Sequence, residues 1–229
     1  MIAERVAAVR ERIARAAERA SRPPDSVRLV AVSKTHPPEA VREAFAAGVR
    51  DFGENRVQEA EPKIAATGGL GARWHLVGHL QSNKARRAAT LFELVQSIDS
   101  LELATRLARA GEESGAMVRG LVEVDLAGEA SKFGVPESEL FPVLRELRGR
   151  AGLRLEGLMV LPPFLEDPAA LRPFFRRLRE LRDRALGEGL VAAGELSMGM
   201  SHDFEAAIEE GATLVRVGTA IFGERQRAA

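Results

Sequence analysis

The chain reads Val-Arg-Leu-Val-Ala-Val-Ser-Lys-Thr-His over residues 27–36. A short apolar, β-branched run that ends abruptly in polar residues is typical of a strand buried on both faces of a parallel sheet. Seven later runs have the same character, and charged amphipathic stretches separate them, which is the pattern of repeated βα units. We predict strands at residues 27–33, 50–53, 73–78, 94–97, 118–125, 155–161, 195–198 and 214–218. Eight such strands favour a (β/α)8 TIM-type barrel, an α/β fold, over an open sheet.

Helical spacing of apolar residues predicts the elements between these strands. The main helices are expected at residues 38–47, 101–114, 140–150, 170–186 and 202–210. A further helix precedes the first strand, where apolar residues recur from Ile2 to Ile13 at helical spacing. Only residues 219–229 follow the last strand, so we expect the N-terminal helix (residues 1–21) to pack on the barrel in place of a closing helix. With no long Pro/Gly/Ser-rich linker, a single domain over residues 1–229 is the simplest interpretation.

Composition excludes several functional classes. Basic and acidic residues balance at 33 each, so no net charge recruits nucleic acid or an anionic membrane surface. The chain has no cysteine, which excludes disulfides, thiolate catalysis and cysteine-ligated metals, and its 4 scattered histidines form no metal-binding motif. Residues 1–20 carry a charge every few positions, unlike a signal peptide or a membrane span. We therefore expect a soluble cytoplasmic protein without a bound metal.

Lysine is rare in this chain. Only four of the 33 basic residues are lysines, at Lys34, Lys63, Lys84 and Lys132. Lys34 closes the first predicted strand, where a snorkelling side chain and a reactive amine are both open interpretations. Arginine cannot replace a reactive amine, because guanidinium stays protonated, whereas a desolvated ammonium can lose its proton and attack a carbonyl carbon. The rarity of lysine therefore favours a Schiff-base amine at Lys34.

The last two predicted strands carry further polar candidates. Strand alternation points Arg216 to the same face as Leu214 and Gly218, so its buried charge needs an acceptor, either a structural salt bridge or a ligand atom such as a pyridine nitrogen. Gly218 and Thr219 follow strand eight and resemble an anion-binding turn. Ser201 follows strand seven and is expected to cap the helix that starts at His202. Barrels often bind phosphate in the loops after strands seven and eight. Together with Lys34 and Arg216, these two turns match the phosphate, the aldehyde and the ring nitrogen of one phosphorylated pyridine aldehyde.

Other candidates lie at the ends of strands two and three. Trp74 and His75 fall inside strand three and are expected to be core residues. His79 follows that strand, and its structural and functional interpretations are evenly balanced. Asn55, after strand two, is expected to cap the next helix or to bond a cofactor hydroxyl.

Five segments, in order along the chain, resemble the pyridoxal phosphate homeostasis proteins. They read Val-Ser-Lys-Thr-His, Phe-Gly-Glu-Asn-Arg-Val-Gln-Glu, Trp-His-Leu-Val-Gly-His-Leu-Gln-Ser-Asn-Lys, Leu-Ser-Met-Gly-Met-Ser-His-Asp-Phe and Arg-Val-Gly-Thr-Ala-Ile-Phe-Gly-Glu-Arg. The resemblance implies a barrel like the N-terminal domain of alanine racemase, with pyridoxal 5'-phosphate held as an internal aldimine on Lys34 and Arg216 facing the pyridine nitrogen. It implies that the phosphate is held by Ser201, Gly218 and Thr219. The implied cofactor-binding set is Lys34, Asn55, His79, Ser197, Ser201, Arg216, Gly218 and Thr219.

The resemblance also implies a role in vitamin B6 homeostasis. We expect a monomer that stores pyridoxal phosphate and delivers it to apo-enzymes without catalytic turnover. The alternatives are an amino-acid racemase that uses pyridoxal phosphate and, in a third class, a Schiff-base aldolase without cofactor. Alanine racemases oppose the lysine with a tyrosine from a second domain, whereas this chain has no tyrosine and we expect no such domain, which favours the carrier. Lys84 and Lys132 lie in family-like segments, where surface ion pairing is a sufficient explanation.

Overall fold

The computed structural model describes residues 1–128 and 133–224, so Lys132 lies outside the described residues. Its strands are β1 (Arg28–Val32), β2 (Asp51–Glu54), β3 (Arg73–Leu76), β4 (Leu94–Ile98), β5 (Val118–Asp125), β6 (Val135–Pro136), β7 (Leu153–Met159), β8 (Glu195–Ser197) and β9 (Leu214–Val217). Within these residues, eight parallel strands close into a barrel in the order β1, β2, β3, β4, β5, β7, β8 and β9, and β9 pairs with β1. The predicted (β/α)8 barrel is confirmed. Only β6 was not predicted, and it pairs with the end of β5 outside the ring.

Helices cover the outside of this barrel. They are α1 (Ile2–Arg19), α2 (Pro38–Ala46), α3 (Val57–Ala66), α4 (Ala85–Leu91), α5 (Leu101–Ser114), α6 (Glu137–Leu147), α7 (Arg172–Gly187), α8 (Phe204–Glu209) and α9 (Thr219–Phe222). The start of α6 lies three residues before the predicted one, because its first turn is polar and lacks the apolar spacing that marks a helix in sequence. In the part of the chain that is described, no helix is long and apolar enough to cross a lipid bilayer.

The first helix, α1, packs between the helices on either side of the β9 and β1 pair. It buries Val6, Val9 and Ile13 and contacts α2, α8 and α9. A fully buried aliphatic side chain of this size contributes about 1.5 to 3 kcal/mol to stability, so these three residues anchor the helix firmly. Because α9 has only four residues, α1 lies where the outer helix of the last βα unit would otherwise pack.

The interior of the barrel has an apolar centre. It is formed by Val30, Leu94, Leu121, Met159 and Leu214, which come from five different strands. Side chains alternate along a strand, so the residue two positions beyond each of these points into the same interior, nearer the C-terminal mouth. Arg216, two residues after Leu214, therefore lies at the mouth of the barrel. Trp74 lies in the outer layer, where it packs on Phe52 with ring centroids 5.5 Å apart, as expected of a core residue.

Candidate functional site

Lys34 lies in a tight turn that follows β1 at the C-terminal mouth of the barrel. We call residues 33–36 the lysine turn. His36 N donates to Ser33 O at 3.1 Å and closes the turn. Thr35 has a φ of 66°, in the left-handed region that costs a residue with a side chain about 1 to 2 kcal/mol. His36 also stacks on Phe222 of α9 with ring centroids 5.1 Å apart, so the half-buried Lys34 is carried by a strained turn that its surroundings hold in place.

Arg216 lies on β9 and is only 3% exposed. Its Nη1 donates to Ser197 Oγ at 2.5 Å and its Nη2 donates to Val160 O at 2.9 Å. Burial lowers the pKa of Arg216 to about 10, so the guanidinium stays protonated at neutral pH. Among the described residues it forms no direct ion pair, so the structural salt bridge considered from the sequence is absent there. The described bonds use one N–H of each terminal nitrogen, which leaves other donors for a ligand.

Glu123 on β5 is a buried carboxyl group that the sequence interpretation missed. It points into the barrel beside Met159 and is 4% exposed. Burial raises the pKa of Glu123 to about 7, although the charge of Arg216 opposes this, and the nearby Asp99 and Asp125 raise it further. The barrel mouth therefore holds a carboxyl group that titrates close to neutral pH. The signal in the sequence was a glutamate within the otherwise apolar run Leu-Val-Glu-Val.

A chain of hydrogen bonds runs from Ser197 through the barrel interior. Ser197 Oγ donates to Gln96 Oε1 at 2.6 Å, and Gln96 Nε2 lies 2.9 Å from His75 Nδ1. His75 Nε2 lies 3.0 Å from Asp51 Oδ1, and Arg73 donates to both oxygens of Asp51 at 2.8 and 2.6 Å. We call these five residues the polar chain.

The polar chain fixes its own proton positions. Burial alone would raise the pKa of Asp51, but the hydrogen bonds from Arg73 and His75 outweigh burial and hold it well below its usual range. The Asp51 carboxylate only accepts, so His75 Nε2 donates and His75 Nδ1 accepts from Gln96. Each donor in the polar chain then has one acceptor. The Ser197 hydroxyl is thereby oriented with its proton toward Gln96, and its oxygen accepts from Arg216. His75 is buried as predicted, with both ring nitrogens bonded.

The turns after β8 and β9 meet beside the end of β1. Ser201 Oγ accepts from Gly218 N and Ala220 N, both at 3.3 Å, so one hydroxyl and two amides converge on a small volume. A side chain on Gly218 would lie 3.2 Å from Val32 O, so glycine permits this close approach. Lys34 follows Val32 by two residues. The structure thus brings the lysine turn, Ser201 and Gly218 to one end of neighbouring strands, with Thr219 exposed at the start of α9.

The prediction that Ser201 caps a helix starting at His202 is wrong. The helix α8 begins at Phe204 after Asp203 and has no side-chain cap, and Asp203 Oδ1 accepts from Met200 N at 2.5 Å in the turn before the helix. The helix therefore starts two residues later than predicted, after the turn that Asp203 closes. Ser201 is thereby left to contact the turn after β9.

Asn55 and His79 lie at the ends of β2 and β3, where they line an open pocket of about 570 Å³ together with the start of α3 and Lys84. Asn55 does not cap α3, because that helix begins at Val57 with no side-chain cap. His79 Nδ1 lies 2.7 Å from Asp99 Oδ2, and its ring stacks on Phe133 at 3.6 Å. The contacts of His79 therefore reach the segments after β4 and before β6.

The family model described as alanine racemase, N-terminal domain, matches residues 5–226 of this chain. The pyridoxal phosphate homeostasis protein of Aquifex aeolicus is 46% identical over 226 residues, which cover 97% of this chain and 98% of that protein. This chain belongs to the pyridoxal phosphate homeostasis protein family. The resemblance expected from the five sequence segments is confirmed.

Solved structures place this family member among related barrels. PipY of Synechococcus elongatus, solved with PLP bound, is 41% identical and superposes with a TM-score of 0.85 over 97% of this chain and 100% of that one. An alanine racemase of Clostridium difficile shares the fold with a TM-score of 0.74 at 15% identity, and the match covers 98% of this chain but 58% of that enzyme. The racemase likeness is therefore one of fold.

Proposed function

We propose that this protein binds pyridoxal 5'-phosphate, attached to the amine of Lys34, and stores it for delivery to other proteins. The observation that carries the proposal is the convergence of the lysine turn, the Ser201 and Gly218 contact and the buried Arg216 at one mouth of the barrel. PipY, which was solved with PLP bound, supports the choice of cofactor.

The residues present suit the three polar parts of this cofactor. The Ser201 hydroxyl and the amides of Gly218 and Ala220 are donors of the kind that bind phosphate. Arg216 has N–H groups left to donate to a ring nitrogen, and its side chain is fixed by Ser197 and Val160. Asn55 and His79, which line the pocket at the ends of β2 and β3, belong to the same proposal as neighbours of the cofactor.

Arg216 also suits storage, because it limits the electron-accepting strength of the cofactor ring. When bound, pyridoxal phosphate supplies a reactive aldehyde and an electron-accepting ring. Arg216 keeps its own proton, because its pKa of about 10 is well above neutral pH, so it donates a hydrogen bond without protonating the ring nitrogen. A neutral ring withdraws electrons weakly, which restrains chemistry at a bound amino acid.

Covalent capture on Lys34 is tested by borohydride reduction of the protein incubated with pyridoxal phosphate, followed by peptide mass spectrometry. We expect a pyridoxyl group on Lys34 and none after Lys34→Ala. Lys84→Ala is the matched control, since Lys84 is also half-buried near the barrel mouth, and it should keep the adduct. A colourless protein without adduct, or an adduct on Lys63, Lys84 or Lys132, would contradict the assignment.

A racemase is the second candidate, and Glu123 is the observation that favours it. Racemisation needs an acid or base on each face of the substrate carbon, and a buried carboxyl with a pKa of about 7 beside Arg216 is suited to one of them. The test is incubation of the loaded protein with L-amino acids in deuterated water, with measurement of α-proton exchange and D-isomer formation. Turnover at ordinary enzyme rates that is lost in Glu123→Gln would replace the carrier by the racemase.

Delivery, oligomeric state and location complete the proposal. We propose a cytoplasmic monomer of one domain that transfers pyridoxal phosphate to apo-enzymes and binds neither nucleic acid nor membranes. Transfer is measured as the rate at which an apo-enzyme regains activity when mixed with the loaded protein. A rate no faster than spontaneous release of the cofactor would reduce the function to storage alone. Light scattering of the loaded protein gives its mass in solution.

A further inference from the structure

Lys63 and Glu54 form a buried ion pair directly behind the lysine turn. Lys63 Nζ donates to Glu54 Oε1 at 2.5 Å, and the two side chains are 8% and 0% exposed. Lys63 lies on α3 and Glu54 ends β2, so the pair joins a helix to the strand beside β1. We call Lys63 and Glu54 the buried pair.

Both members of the buried pair hold Ser33, the residue that precedes Lys34. Lys63 Nζ donates to Ser33 O at 2.7 Å, and Ser33 Oγ donates to Glu54 Oε1 at 2.7 Å. The Ser33 carbonyl is the same one that accepts from His36 N and closes the lysine turn. The buried pair therefore fixes the main chain on one side of Lys34 through both the carbonyl and the side chain of its neighbour.

The lysine turn needs such support because Thr35 is strained. A threonine in the left-handed region persists only where surrounding contacts over-determine the backbone. His36 and Phe222 hold the far side of the turn, and the contacts to Ser33 hold the near side. Loss of the near contacts would let Thr35 relax and would change the direction in which Lys34 leaves the turn.

Stability alone explains the buried pair poorly. Glu54 Oε2 is buried and has no hydrogen-bond partner among the described residues, so the carboxylate is only half satisfied. Half-satisfied buried ion pairs are weak stabilisers, and apolar residues of similar volume often replace them without loss. Lysine is scarce in this chain, and a compact ammonium with several rotatable donors suits simultaneous bonds to a carbonyl and a carboxylate.

We propose that Lys63 and Glu54 are positioning residues for Lys34: by holding both groups of Ser33 they keep the strained lysine turn in the conformation that aims the Lys34 amine for attack on the cofactor aldehyde. This inference rests on the proposed function. In the attack the amine nitrogen bonds to the aldehyde carbon, and the oxygen leaves as water with the two protons of the amine, so no other reactant is needed. The buried pair touches neither reacting atom and acts through the backbone.

Two variants separate positioning from stability. Glu54→Leu combined with Lys63→Met replaces the pair by apolar groups and leaves only the Ser33 hydroxyl unpaired, so the melting temperature should fall less than in a variant that breaks the pair, while the contacts to Ser33 are lost. Glu54→Gln keeps an acceptor for Ser33 and Lys63 but leaves the ammonium uncompensated, so the melting temperature should fall while the turn stays in place. We expect pyridoxyl-Lys34 to form at least tenfold more slowly in the double variant and within about twofold of the wild-type rate in Glu54→Gln.

Amide hydrogen exchange of residues 33–36 without cofactor gives a second readout. We expect at least tenfold faster exchange of His36 N–H in the double variant, because its acceptor Ser33 O is no longer held. The matched control combines Glu156→Leu with Arg119→Met, since Glu156 is also buried with one unpartnered oxygen and pairs with Arg119 at 2.7 Å away from the lysine turn. The control should exchange and capture cofactor like the wild type.

The outcomes also distinguish this inference from the proposed function. A wild-type protein that never acquires a pyridoxyl group on Lys34 defeats the function, while hydrogen exchange still reports whether the buried pair holds the turn. Capture and exchange at wild-type rates in the double variant overturn the inference and leave the function intact. Equal slowing in the double variant and in the control would also overturn it, because the loss of any ion pair with a buried carboxylate would then have the same effect.

Discussion

The lysine turn and Arg216 lie at the same mouth of the barrel but are held from opposite sides. The lysine turn is held from outside the ring by the buried pair, whose bonds reach the backbone before Lys34. Arg216 is held from inside the ring by Ser197 and Val160, whose bonds reach the tip of its side chain. The Lys34 amine must move toward the cofactor aldehyde, whereas the Arg216 guanidinium must keep a fixed orientation toward the ring nitrogen. The anchoring of each group matches what its proposed role requires.

One serine takes part in the contacts that hold the lysine turn, and another takes part in those that hold Arg216. The hydroxyl groups of these two serines donate to different kinds of acceptor. Ser33 Oγ donates to the charged Glu54 carboxylate, and Ser197 Oγ donates to the neutral Gln96 amide. The contacts that hold the lysine turn end at the buried pair. Those that hold Arg216 continue along the polar chain to Asp51 and Arg73, so their effects can be measured one residue at a time.

The largest effect is expected from Arg216→Met, which keeps the bulk of the side chain and removes its donors. A hydrogen bond to a charged group is worth about 1.5 to 3 kcal/mol, so cofactor release should accelerate by roughly ten- to a hundredfold. Loss of the visible band after dilution measures this rate. The adduct on Lys34 should still form, because the lysine turn is anchored elsewhere. Unchanged release would mean that Arg216 does not contact the ring.

Much of this arrangement follows from the sequence by simple periodicity. The two-residue alternation of a strand places Arg216 with Leu214 inside the barrel, and the abrupt end of an apolar run places Lys34 at its mouth. Alternation acts within one element and needs no knowledge of neighbours. Strand positions and their polar ends were therefore predictable, and the structure confirms the barrel that they build.

The contacts that hold Lys34 and Arg216 in place were not predictable from the periodicity of the sequence. Lys63 reaches Glu54 only because α3 packs back on β2 at a particular angle, which no local pattern encodes. Gln96 lies in a fully buried strand, where a single amide does not reveal which strand across the barrel it meets. The helix after Ser201 starts at Phe204 rather than His202, because Asp203 first closes a turn by accepting from Met200 N, a contact that no local pattern encodes.

A medium effect is expected from Glu123→Gln, and it depends on pH. Burial raises the pKa of Glu123 from its ordinary value of 4.5 to about 7, so the unfolded chain loses this proton before the folded protein does. The contribution of Glu123 to stability is therefore complete below about pH 4.5 and is lost as pH rises toward 7. We expect Glu123→Gln to be more stable than the wild type at pH 8 by up to about 3 kcal/mol, and nearly equal to it at pH 4.5.

Urea unfolding of both proteins at a series of pH values measures the difference. A constant difference across this range would show that Glu123 does not titrate differently in the folded protein. The charge of Arg216 opposes the raised pKa of Glu123. The stability difference between Glu123→Gln and its parent should therefore depend more strongly on pH when the parent is Arg216→Met than when it is the wild type. This double-variant comparison measures how strongly the two groups interact inside the barrel mouth.

The smallest effect is expected from Arg73→Met, at the far end of the polar chain. The Arg73 side chain is 49% exposed, so water can replace its bonds to Asp51, and the loss of stability should be about 1 kcal/mol. The pKa of Asp51 should rise toward its ordinary value of 3.8, so the stability that Asp51 provides above that pH should be lost earlier on acidification. Cofactor release should not change, because His75 and Gln96 lie between Asp51 and Ser197. Faster release in Arg73→Met would mean that the polar chain transmits position along its whole length, and that Arg216, unlike Lys34, is held by the entire interior of the barrel rather than by its nearest neighbours.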